Sequence, residues 1–412
     1  MPVCFSVHKL VGYNETHNII LYREPILVNK SYESKYIIFF PGDYSNFFTN
    51  SVYTSYKRES KNECTEYCYS YEALFWVISS KYLYDHIIFI KPCIFKNYFS
   101  MFANFLNEPD ISISKDLKNV NTNTGKIQSK IGNVNPSDQN CSQECYQNNA
   151  ANVLAPAKGV KHLLCLLLSL NKELSGRNEM NSFFVSSIQS ANANGRDKFK
   201  WGAPYGLGNQ DGTDNHPGHD KSTFEDTHEC KYTNEGTNHR LVLIGFSRGC
   251  SVLFSMMREA KDGHPFWSLI DSIYLLDPSF NKSIYNTDIE NSALEEISEY
   301  GLKIFVHSTP HQISNKNEMN IHSELLNFLK KLRQHRICTF PYIHYTRNET
   351  FVNPLNLHFE ILMDFLDDVF EDPNESSSLS KSCKEEGITL CKSKVSPKDF
   401  LFDNWKKNSF HA

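Results

Sequence analysis

Residues 240–260 read RLVLIGFSRGCSVLFSMMREA. An aliphatic run from Leu241 to Ile244 leads into Gly-Phe-Ser-Arg-Gly, and apolar residues at helical spacing follow. The run suits a central parallel strand covered on both faces. Gly245 and Gly249 omit the side chains that collide where a strand turns sharply into a helix. Ser247 stands at the tip of that turn, which has the sequence form of a nucleophile elbow. A serine held there projects its hydroxyl from the carboxyl edge of the sheet. The amide that follows it lies at a helix N-terminus, where developing negative charge is stabilised. The same string also fits a tight turn whose serine only caps the helix.

Strand and helix patterns alternate on either side of this segment. Strands are expected at Tyr36–Phe40, His86–Ile90, Ser272–Leu276, Leu302–Val306 and Cys338–Tyr345. Helical spacing marks Tyr69–Tyr84, Lys158–Leu174, Asn320–His335 and Leu355–Phe370. Such alternation implies an α/β-hydrolase-like, doubly wound, mainly parallel sheet. Right-handed crossovers then gather the strand carboxyl ends on one edge, where sites are built. A single domain over residues 1–370 is expected, interrupted by polar insertions at 109–157 and 175–238. Residues 371–412 are Ser/Lys-rich and are expected to form a disordered tail.

Composition narrows the function classes. The 412 residues carry a net charge of −5 with a pI near 6.3, which gives no reason to expect a nucleic-acid partner. No apolar run approaches the roughly 18 residues that span a bilayer. The N-terminus lacks both a secretory signal and an Arg-rich amphipathic presequence, which suggests a cytoplasmic protein. The 12 cysteines follow no secreted framework, and Cys93, Cys165, Cys250 and Cys338 read as reduced, buried small hydrophobes. Cys64 with Cys68, Cys141 with Cys145, and the group His216, His219, His228 and Cys230 lack zinc-site spacing. No metal and no cofactor are therefore expected.

A nucleophilic serine needs a base, and the base needs an orienting acid. Asp277 ends the strand SIYLL and should stand at its carboxyl edge, although Asp-Pro pairs also form turns for their own sake. His358, in NPLNLHFEIL, follows the last strand, in the first turn of the C-terminal helix, where the base of such a triad belongs. His307 and His311 leave a strand end and compete for the role, whereas His344 lies within a strand and reads as structural. The segment His307-Ser308-Thr309-Pro310 holds no carboxylate, so the acid role falls to Asp277. For the oxyanion hole, the turn FFPGDYSNFF offers the amide of Asp43 or Tyr44, and the elbow offers that of Arg248. An Asp43–Arg248 ion pair is the structural alternative.

Seven segments in order, YIIFFPGDYSNFF, HIIFIKPCIF, GVKHLLCLLLSL, LVLIGFSRGCSVLFSMM, SIYLLDPSF, IFVHSTPHQI and IHYTRNETFVNPLNLHFEIL, carry a resemblance. Together they are similar to the family of uncharacterised α/β-hydrolase-like proteins named for chromosome-two open reading frame sixty-nine. The resemblance implies a serine-hydrolase fold, a mitochondrial location, and partners in glycogen or mitochondrial energy metabolism. It places Ser247, Asp277 and His358 at the family's elbow serine, following aspartate and late histidine. The family carries Lys where Arg248 stands and a Gly-rich stretch where Pro278-Ser279-Phe280 stand. Two functions remain open: a serine hydrolase of an ester, thioester or amide acting on a small-molecule or acyl substrate, and a hydrolase-fold interaction protein with little turnover.

Overall fold

The computed structural model describes residues 4–43, 45, 70–96, 99–106, 159–174, 241–278, 288–309, 319–345, 354–365 and 389–392. Its strands are β1 (Ser6–Val11), β2 (His17–Arg23), β3 (Tyr36–Phe40), β4 (His86–Ile90), β5 (Ile94–Lys96), β6 (Phe99–Met101), β7 (Leu241–Phe246), β8 (Ile270–Leu276), β9 (Lys303–Ser308), β10 (Cys338–Tyr345) and β11 (Thr389–Lys392). The helices are α1 (Tyr71–Lys81), α2 (Gly159–Leu174), α3 (Cys250–Arg258), α4 (Asn291–Glu299), α5 (Met319–Gln334) and α6 (Pro354–Asp364).

Nine strands form one sheet in the order β1-β2-β4-β3-β7-β8-β9-β10-β11, with β5 and β6 a separate hairpin. All pairings from β4 to β11 are parallel, and β2 runs against both neighbours. This is the doubly wound arrangement of an α/β-hydrolase fold, with β7 in the middle. Every residue of β7 is buried, because alternate side chains enter two different cores. Leu241 and Leu243 join the layer of α2, α3, α4 and α5, while Val242, Ile244 and Phe246 join the layer of α1 and α6.

Caps set the helix starts. The Ser70 hydroxyl accepts the Ala73 amide at the start of α1, and the Glu259 carboxylate accepts the amides of Gly159 and Val160 at the start of α2.

The sequence reading omits four features, one of them the helix α4 between β8 and β9. Before Tyr36 lies the antiparallel hairpin β1–β2; β1 reads Ser-Val-His-Lys-Leu-Val and buries only Leu10 fully, so it carries neither a strict alternation nor a long apolar run. The hairpin of β5 and β6 is also missing, its strands being three residues each. Residues 389–392, inside the expected disordered tail, instead form β11, paired in parallel with β10. Four residues are too few to reveal a period against polar flanks. Strand β9 ends at Ser308 rather than Val306, since His307 and Ser308 are polar yet buried. Both expected insertions lie outside the described residues.

Candidate active site

The chain leaves β7 at Phe246 and enters a turn of 3-10 helix over Ser247–Gly249 before α3. Ser247 has φ of 50°, in the left-handed region that non-glycine residues avoid at a cost of roughly 1–2 kcal/mol. Neighbouring backbone leaves it little alternative. A Cβ at Gly249 would stand 2.0 Å from the Phe40 carbonyl oxygen, and one at Gly42 would stand 2.6 Å from the Ser247 Cβ. The elbow and the turn after β3 are thus pressed together at two glycines. Beneath them the Cys250 thiol donates to the Gly245 carbonyl at 3.1 Å, tying α3 to its strand.

Asp277 leaves β8 in the same strained region, with φ of 45°, and is 2% exposed. Its amide donates to the His307 carbonyl at 2.7 Å, which extends the pairing with β9 one residue past the end of β8. Its Oδ2 lies 2.5 Å from His358 Nδ1, so the structure brings the expected acid and base together. Pro354 opens α6, and His358 is the fifth residue of that helix, just past the first turn. The imidazole stacks on Phe246, the residue before Ser247, with ring centroids 4.5 Å apart. Nδ1 faces the carboxylate, which assigns Nε2 to any base chemistry.

Sequence reasoning missed Thr309. Its amide donates to Asp277 Oδ1 at 2.8 Å and its hydroxyl to Oδ2 at 3.2 Å. The turn after β9, which holds no carboxylate, therefore serves the acid with two donors. The one available signal was that a site edge carried hydroxyl residues in place of an acid.

His307, the competitor, turns into the core. It is 3% exposed, stacks on Tyr342 with ring centroids 4.6 Å apart, and holds Nδ1 2.8 Å from His344 Nε2. Burial, with the neighbouring His344 and Lys81 adding to it, holds its pKa well below the ordinary imidazole value. His311 lies outside the described residues.

Asp43 and Arg248 form the ion pair posed as the structural alternative. The Arg248 guanidinium donates through Nε to the Asp43 carboxylate at 3.0 Å, and both side chains are about 15% exposed. Asp43 Oδ1 also accepts the Ser100 amide at 2.6 Å, while the Ser100 hydroxyl donates to the Gly42 carbonyl at 2.8 Å. Burial pushes the Asp43 carboxyl up, and Arg248, Ser100 and the nearby His358 pull it partly back. These side chains fasten the turn after β3 to the elbow, which still leaves the main-chain amides of Asp43 and Arg248 as oxyanion donors to consider. Tyr44 lies outside the described residues.

Among the described residues no group of three His, Cys, Asp or Glu side chains could hold a metal, and no helix is long and apolar enough to cross a membrane. Cys250 is buried as expected, whereas Cys93, Cys165 and Cys338 are only half-buried, each being flanked by a strand end or a helix surface.

Among curated proteins, no sequence matches the chain. Among solved structures, an acylaminoacyl peptidase of Pyrococcus horikoshii is similar over 92% of this chain and 44% of its own, at 8% identity and a TM-score of 0.39. A lipase/esterase from Lactobacillus plantarum matches 82% of this chain and 89% of its own, at 9% identity and a TM-score of 0.33. The brefeldin A esterase, a bacterial homologue of human hormone sensitive lipase, matches 94% and 76%, at 10% identity and a TM-score of 0.33. The chain spans less than half the length of the two acylaminoacyl peptidase structures it matches. Likenesses this weak add no weight, and the fold assignment rests on strand order and the elbow. The model of the C2orf69 family matches residues 6–338, a span that holds the elbow, Asp277 and Thr309 and stops short of His358; the chain belongs to the C2orf69 family.

Proposed function

We propose that this protein is a serine hydrolase of an ester, thioester or amide, with Ser247 as nucleophile, His358 as base and Asp277 as the acid that orients it. The observation that carries the reading is the left-handed Ser247 at the end of β7, one residue from the ring on which His358 stacks. Nothing about a helix cap requires that strain.

In this reading His358 Nε2 takes the Ser247 proton as Oγ attacks the substrate carbonyl. Asp277, fixed by Thr309, holds Nδ1–H and stabilises the imidazolium. The tetrahedral oxyanion is held by main-chain amides at Arg248 and in the turn containing Asp43. Collapse passes the proton to the leaving group, and water, activated by the same nitrogen, releases the acyl group. The alternative of an interaction scaffold with little turnover draws on the placement of the acid after β8 and on the long polar insertions; the Asp277–His358 hydrogen bond supports the hydrolase reading on the first ground. A mitochondrial setting and a link to glycogen or energy metabolism join the proposal through the family alone.

The test is a fluorophosphonate probe with adducts mapped by mass spectrometry. Wild type should carry the adduct on the peptide containing Ser247, and Asp277→Asn should label there at least about a hundredfold more slowly. An unmodified Ser247 in folded wild type would defeat the reading.

A further inference from the structure

A second hydroxyl, imidazole and carboxylate line up far from the elbow along the chain, on the edge strand β1. Ser6 and His8 are two apart on that strand and therefore share a face. Ser6 Oγ lies 2.6 Å from His8 Nε2, and His8 Nδ1 lies 2.6 Å from Glu173 Oε2 near the end of α2. The carboxylate can only accept, so Nδ1 carries the proton toward it and Nε2 is left to accept from Ser6. The Tyr22 ring stands edge-on to His8 with ring centroids 6.3 Å apart. A long contact of 3.4 Å from Ser6 Oγ to the Tyr22 carbonyl is the competing hydrogen bond.

The strand's position supplies donors as well. Gly12 donates to Thr16, and the β1–β2 register then turns the amides of Ser6, His8 and Leu10 toward β2. Those of Val7 and Lys9, which flank the relay, face outward from the sheet edge. The His8 side chain is 14% exposed and that of Glu173 is 47% exposed, so the relay opens to the surface.

We propose that Ser6 is a second acyl-accepting hydroxyl, activated by His8 and Glu173 and independent of Ser247, that reacts with esters or thioesters reaching the edge of β1. With a thioester, the bond from Ser6 Oγ to the acyl carbon forms and the carbon–sulfur bond breaks. The hydroxyl proton passes through His8 Nε2 to the leaving thiolate, and the products are an O-acyl serine and a free thiol.

The experiment uses the full chain carrying Ser247→Ala and a fluorophosphonate, whose phosphorus stands in for the acyl carbon and whose fluoride leaves. The adduct should map to Ser6 and vanish in Ser6→Ala. Its rate should fall at least about tenfold with His8→Gln and several-fold with Glu173→Gln, a change at an exposed carboxylate that leaves the fold intact. Absence of the adduct at Ser6, or rates unchanged by Glu173→Gln and His8→Gln, would overturn the proposal. Labelling of Ser247, read separately in Ser6→Ala, keeps the two serines' fates apart.

Discussion

His358 and His307 both stand near strand carboxyl ends on the same sheet edge, and their surroundings suit them for opposite duties. His358 has a carboxylate on one nitrogen and an aromatic ring beneath it, with its side chain 16% exposed. His307 has another histidine on one nitrogen, stacks on Tyr342, and is nearly sealed from solvent. An imidazole can cycle a proton when a fixed negative charge steadies the cation, and it cannot when a second imidazole and low-dielectric walls oppose charging. The acid decides the difference. Had the carboxylate followed β9, where Ser308 and Thr309 stand, it would sit on the His307 strand; it follows β8 and reaches α6 instead.

Three measurements would break or sharpen this contrast. The largest effect is expected from exchanging the two histidines' roles. His358→Gln should lower acylation of Ser247 by about a thousandfold or more, while His307→Phe should leave it within about threefold. The reverse ranking in folded protein would transfer the base role to His307. Next comes Thr309→Val, which removes a hydroxyl donor from Asp277 but keeps the shape. Acylation should drop about tenfold and recover in Thr309→Ser, since a hydrogen bond to a charged group is worth roughly 1.5–3 kcal/mol. Equal rates in the Val and Ser variants would strip Thr309 of its positioning role.

The smallest effect concerns pH and stability. Burial holds His86 and His162 down to about 4, and His307 well below the ordinary imidazole value. The unfolded chain therefore binds these protons first as pH falls. Their stability contribution is complete above about pH 6.5 and is lost on acidification toward about pH 4. Each such histidine adds a slope of at most about 1.4 kcal/mol per pH unit. Denaturation midpoints of His307→Phe between about pH 6.5 and 5 should fall less steeply than wild type by about one histidine's share. An unchanged slope would mean that His307 is already protonated when folded, and the contrast with His358 would collapse.

Local physics explains what the sequence disclosed. The elbow could be read because its strand, its glycines and its helix lie within 21 consecutive residues, and each constraint acts on a neighbour. The pairing of Asp277 with His358 followed from chain order, since strand ends on one edge must meet. Thr309 left only the faint signal of hydroxyl residues in place of an acid, because it acts across 32 positions through one amide and one hydroxyl. The Asp43–Arg248 ion pair could be posed from the sequence, because both residues flank turns at one sheet edge; the further bond from a β6 amide to the Asp43 carboxylate could not. Strand β1 stayed hidden because an edge strand keeps half its residues wet, and Ser-Val-His-Lys-Leu-Val passes for ordinary polar sequence.

The placement of β7 in the sheet has a further consequence. Four strands lie to either side of it, so Ser247 directly follows the strand farthest from both edges, whereas Ser6 rides an outermost one. Local opening begins where a strand has a single partner and few buried contacts. Warming should therefore loosen the hairpin that holds Ser6 while the elbow is still intact. Ser247 should keep its geometry until the sheet fails as a whole, giving the two serines different thermal lifetimes within one chain.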